Sequence, residues 1–99
     1  MNDKIITNLQ KFGMDFQCKC ISGLLSDKTF IERLSDIIDY TAFESDAHQW
    51  IVKETQTYFD EFRVSPTMEV FKIKVGEIED KVLKQTVIEQ LKGVYQQIG

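Results

Sequence analysis

Ninety-nine residues, 42% of them hydrophobic and eleven of them aromatic, suit one small domain with an apolar core of modest reserve. The formal net charge of −4 argues against a chain that grips nucleic acid unaided, because phosphate binding depends on clustered Lys and Arg. Lys72, Lys74, Lys81 and Lys84 do gather loosely, but Glu77, Glu79 and Asp80 sit among them, so the region reads as a solvated mixed-charge face.

No apolar run approaches the roughly 18 residues of a membrane span. The opening "MNDKIITNLQKF" lacks the apolar core and cleavage site of a signal peptide, so a cytoplasmic location is expected. Cys18 and Cys20 agree with that compartment. Two residues apart on a helix, they point to nearly opposite sides and do not meet disulfide geometry easily.

Residues 1–13 are mostly polar, with Ile5, Ile6 and Leu9 as a weak amphipathic hint and Gly13 as an interruption. They read as a flexible or partly helical arm, leaving 14–99 as the folded domain. From Met14 to Leu25 the apolar positions Met14, Cys18, Ile21 and Leu25 recur at helical steps, with Cys20 and Leu24 widening the stripe. Ser26 and Asp27 then supply a cap, and Phe30, Ile31, Leu34, Ile37 and Ile38 follow at helical spacing, predicting an antiparallel helical hairpin.

"DYTAFESD" breaks the pattern. Phe43 is expected to turn back into the core, and either Ser45 or Asp46 can cap the next helix; Asp46 with Gln49 has capping-box spacing. That helix carries Ala47, Trp50, Ile51, Tyr58, Phe59 and Phe62 on one side, with Lys53, Glu54, Gln56 and Asp60 mainly on the other. In "EFRVSPTMEVFK", Arg63 and Val64 leave the helix, Ser65 fits an N-cap and Pro66 fits the first helical position. Met68, Phe71, Val75 and Ile78 then share a face, and the helix is expected to end near Gly76. Within it, "VFKIKV" has enough alternation to allow an edge strand as a minority reading. A last helix over 79–97 is marked by Leu83, Val87, Leu91, Val94 and Ile98, extended by Ile88 and Tyr95. The fold expected is all-α, a compact bundle of about five helices.

Little in the chain points to catalysis. The single histidine, His48, sits at a helix start far in sequence from both cysteines and reads as a surface or capping residue. A zinc site wants about four ligands, and "CKC" with one histidine falls short; both cysteines read as small core residues, and no metal or other cofactor is expected. Glu32, Asp36 and Asp39 form an ordinary solvated stripe. Neither a G-x-x-x-x-G-K-[ST] loop nor a G-x-G-x-x-G turn is present, so an interaction module is the default reading.

Three stretches carry a resemblance. "CKCISGLLSDKTFIERLSDII", "YTAFESDAHQWIVKETQTYFDEF" and "FRVSPTMEVFK" resemble, in that order, parts of the N-terminal domain of DnaB-type replicative helicases, particularly those of T-even-type phages. They correspond to the opening helical hairpin, the aromatic-plus-"ES" lead into an amphipathic helix, and the short extended link into a capped helix. "EDKVLKQTVIEQLKGVYQQ" fits the next helix by pattern, and the resemblance covers about residues 16–97.

The resemblance implies a non-catalytic collar domain that associates with other helicase subunits, contacts primase and sometimes the helicase loader, and binds no DNA directly. The ATP-hydrolysing motor of that family is not in this chain, and its second hairpin is absent or incomplete, so the chain is either a piece of a longer helicase or a small stand-alone relative. The apolar faces exceed what so small a domain easily hides, making Tyr58, Phe62, Tyr95 and Ile98 candidate contacts for a partner or a second copy. From another class, a small phage or bacterial regulatory adaptor that binds a host factor fits the same features. An enzyme built from scattered carboxylates and His48 is the third reading.

Overall fold

A computed structural model describes residues 13–98, and its elements follow the breaks in the apolar pattern: α1 (Gly13–Ser26), α2 (Lys28–Leu34), a 3-10 turn (Tyr40–Ala42), α3 (Asp46–Phe62), α4 (Met68–Gly76) and α5 (Lys81–Ile98). Among the described residues the chain is a bundle of five α-helices without a strand. "VFKIKV" is helical. The arm expected over 1–13 lies outside the described residues except for Gly13, which opens α1 at a φ of 83°.

Most helix starts are held by a side chain that accepts an otherwise unpartnered N–H. Asp27 Oδ1 accepts from Phe30 N at 3.1 Å, and Ser45 Oγ accepts from His48 N at 3.0 Å, which settles the choice between Ser45 and Asp46. Asp80 Oδ1 accepts from Val82 N and Leu83 N at 2.9 and 3.0 Å, so α5 begins slightly later than the pattern suggested. The start of α4 corrects the expected cap. Thr67, not Ser65, accepts from Val70 N, at 3.4 Å, and Pro66 lies buried before the helix. Ser65 is diverted because its Oγ donates at 2.6 Å to Leu24 O, one of the last carbonyls of α1.

The second helix is shorter than Phe30–Ile38. It ends at Leu34, whose carbonyl accepts from both Ile37 N and Ile38 N, and Asp39 Oδ1 then accepts from Thr41 N to start the 3-10 turn. Short polar side chains compete with helical bonding there. Three glutamines hold this connector to the bundle. Gln56 Nε2 donates to Ser35 O and Ile38 O at 2.9 and 2.7 Å, Gln49 Nε2 donates to Phe43 O at 2.8 Å, and Gln17 Oε1 accepts from Glu44 N at 2.9 Å.

α3 is the centre of the bundle, packed on α1, α5 and the 3-10 turn, while α1 also meets α2 and α5, and α4 rests on α5. Phe43, Phe59 and Phe71 are the largest fully buried side chains, with Ile21, Leu24, Ile31, Ile51, Val87 and Val94 around them. Each such side chain contributes about 1.5–3 kcal/mol of burial free energy. Phe43 is the inward aromatic its polar connector suggested. The α1 stripe is rotated from the expected one, for Gln17, Ile21 and Leu24 are buried while Met14 is exposed and Cys18 and Cys20 are only half-buried. Gly23 permits the tight α1–α2 hairpin, since a Cβ there would lie 3.0 Å from two carbons of the Phe30 ring.

Candidate protein-docking face

The last two turns of α3 place Tyr58 and Phe62 four residues apart on one face, where their rings stack with centroids 4.5 Å apart and planes tilted by 42°. Arg63 ends the helix in the left-handed region at φ 61°, its N–H donating to Phe59 O at 2.8 Å and its guanidinium resting 4.4 Å from the Phe59 ring centre. The chain then runs extended through buried Pro66 and returns as α4 beside the stacked pair.

α4 is apolar on more than one side. Phe71 and Val75 enter the core, whereas Val70 and Ile73 face outward, Ile73 being 68% exposed. A helix apolar around most of its girth is normally covered on all sides. Here its outer side and the end of α3 enclose a groove of about 380 Å³, lined by Tyr58, Phe62, Val70 and Ile73 and edged by Glu54 and Glu61, with Lys74 at one side. Phe62 is 53% exposed.

Of the four residues singled out from sequence, Tyr58 and Phe62 meet in this groove and the other two do not line it. Tyr95 supports it from behind. Its ring meets Phe71 edge-on at 6.5 Å and its hydroxyl donates to Pro66 O at 3.4 Å. Burial, and secondarily the Glu69 carboxylate, pushes the Tyr95 phenol up to about 12, so it remains a neutral donor. Ile98 closes α5 next to Gln97, whose Oε1 lies 3.0 Å from Ser22 Oγ of α1. Val70 and Ile73 escape a reading that traces the α4 stripe through Met68, Phe71, Val75 and Ile78. A second stripe in the same nine residues was the available signal.

His48 also departs from expectation. It is fully buried, with Nε2 2.9 Å from Gln90 Oε1 and 3.6 Å from Cys18 Sγ, so the fold brings together a thiol and an imidazole separated by 30 residues. Donation from Nε2–H to Gln90 fixes the tautomer and leaves Nδ1 as an acceptor. That Nδ1, like Gln17 Nε2, has no hydrogen-bond partner among the described residues.

A nucleophilic thiol needs a lowered pKa and a basic neighbour. The opposite holds here. Burial, with Asp15 adding to it, raises the Cys18 thiol, and burial lowers the His48 imidazole against a smaller opposing effect of the Gln90 bond. Both groups are held neutral, which makes the cluster a packing feature and a poor nucleophilic centre. Cys20 is likewise raised by burial. Among the described residues no three His, Cys, Asp or Glu side chains converge as a metal site would require, and no helix is long and apolar enough to cross a membrane. Comparison with protein-family models, with curated proteins and with solved structures finds no match to this chain.

Proposed function

We propose that the chain is a non-catalytic protein-interaction domain of the kind found at the N-terminus of replicative helicases, acting by burying apolar surface against helicase subunits, primase or a loader. The groove formed by Tyr58 and Phe62 with Val70 and Ile73 carries the docking part of this reading, because a small acidic domain leaves a contiguous apolar surface open between the end of α3 and the outer side of α4. The helicase part rests on the order of helical hairpin, aromatic connector, amphipathic helix and extended step in the sequence. A net charge of −4 favours protein over nucleic acid as the partner. The neutral Cys18–His48 pair supports the non-catalytic assignment.

The test is a calorimetric titration of the domain against the cognate helicase and primase fragments, repeated with Phe62→Ser and Ile73→Ser. Both side chains are exposed, so the variants should melt within a few degrees of the parent. Micromolar binding that weakens at least tenfold in the variants supports the reading. Absence of binding to every fragment at high micromolar concentration removes the helicase assignment, and binding untouched by the variants removes the groove.

A further inference from the structure

A second groove lies on the other side of α4, where α4 meets α5. Met68, Phe71 and Val75 of α4 and Ile88 and Leu91 of α5 form its apolar floor, and it encloses about 330 Å³. Lys72 and Lys92, one from each helix, complete the lining, and no carboxylate belongs to it. Both lysines are exposed, and neither ammonium is taken up by an ion pair or hydrogen bond among the described residues.

The charge on this groove runs against that of the molecule. The chain carries 16 acidic residues against 12 basic ones, and the Tyr58–Phe62 groove is edged by Glu54 and Glu61. The groove therefore joins an apolar floor to a local positive charge on either wall. Its volume stands at the lower end of the range for binding clefts. It therefore accommodates a few side chains, not a large cofactor. A groove walled by two helices over an apolar floor is a geometry that receives residues at i, i+4 and i+7 of an amphipathic helix.

We infer that the α4–α5 groove docks an acidic amphipathic helix of a partner protein, with aliphatic side chains on the Met68, Phe71, Val75, Ile88 and Leu91 floor and flanking carboxylates paired with Lys72 and Lys92. The inference does not depend on the α3–α4 groove. The net charge of the domain opposes an acidic ligand at a distance, whereas the two lysines attract it at contact. Recognition is consequently short-ranged, and basic or neutral helices with the same apolar face are disfavoured.

Two synthetic peptides of about 16 residues test this, long enough to reach partial helicity. Both carry leucines at i, i+4, i+7 and i+11; one has glutamates and the other lysines at the flanking positions. Binding is read by fluorescence anisotropy and located by amide chemical shifts of the full chain. The acidic peptide should bind at least tenfold more tightly than the basic one, with shifts centred on α4 and α5, and Lys72→Glu combined with Lys92→Glu should reverse the order. Both substitutions are at exposed positions and should leave the amide spectrum folded. Equal affinity for both peptides, an unchanged order in the double variant, or shifts centred on Tyr58 and Phe62 would overturn the proposal. So would concentration-dependent shifts at the groove in the peptide-free protein, which would assign it to a second copy of the chain.

Discussion

Ser65 Oγ donates to Leu24 O at 2.6 Å, so the connector between α3 and α4 is fastened to the last turn of α1, 41 residues away. The bond gives a helix-end carbonyl its partner and fixes where Pro66 sits, and Pro66 in turn lines the Tyr58–Phe62 groove and accepts from Tyr95. Ser65→Ala should lower stability by about 1 kcal/mol, the usual net worth of one intramolecular hydrogen bond. Urea denaturation provides the check. A midpoint equal to the parent's would show that the bond contributes nothing and that the connector is positioned by packing alone.

Gln56 performs a comparable task for the other connector, donating both amide hydrogens to Ser35 O and Ile38 O. Gln56→Leu keeps the bulk and removes both donors. A partly buried carbonyl left without a partner costs roughly 1–3 kcal/mol, so the variant should lose about 2 kcal/mol or more. For a domain of this size that is a fall of roughly 8 °C or more in melting temperature. Gln56→Glu should fare no better, since a carboxylate cannot donate to either carbonyl.

These polar contacts explain what could and could not be read from the chain. Helix number, the cap regions at Ser26–Asp27 and Ser45–Asp46 and the inward turn of Phe43 are written locally, in the spacing of apolar residues and in short polar residues before each run. Gln56 was placed on the outer face of α3, and His48 at its surface, because hydropathy treats any polar residue as outward-facing. Burial of such residues is decided by which distant backbone group needs a partner, and that depends on tertiary approach. The expected Ser65 cap of α4 fails for the same cause, since only the position of Leu24 O shows its hydroxyl engaged elsewhere, leaving Thr67 to accept from Val70 N. At the groove, the i, i+4 spacing of Tyr58 and Phe62 was legible. The second apolar stripe of α4 was hidden behind its first.

His48 gives the fold a defined response to acid. Burial holds its pKa below the usual 6.5, so between that value and the lower folded value the unfolded chain binds the extra proton. Its contribution to stability is therefore complete above about pH 6.5 and is lost as pH falls through the folded pKa, at no more than about 1.4 kcal/mol per pH unit. Urea midpoints at pH 7.5, 6.5 and 5.5 should decline for the parent more steeply than for His48→Asn. Loss of the Gln90 bond lowers the variant at every pH, so the difference in slope is the readout. Equal slopes would place His48 in a solvated or readily protonated setting.

Gly23 and Gly93 both lie inside helices, and alanine should stabilise at Gly93 only. A Cβ at Gly93, an exposed position of α5, meets nothing within 4 Å. Gly93→Ala should therefore realise most of the helical advantage of alanine, about 0.8–1 kcal/mol, and raise the melting temperature by about 4–8 °C. At Gly23 the new methyl would lie 3.0 Å from Cδ2 and Cε2 of Phe30, a half-buried ring on α2. Overpacking of this kind costs roughly 1–3 kcal/mol, enough to cancel or exceed the same propensity gain. Gly23→Ala should consequently leave the melting temperature unchanged or lower it. Combining it with Phe30→Leu removes the ring that stands in the way, so the two changes should be non-additive, the alanine becoming less harmful in the double variant than in the parent. Strict additivity would mean that the Phe30 ring swings aside without cost, and a stabilising Gly23→Ala would contradict the close α1–α2 approach itself.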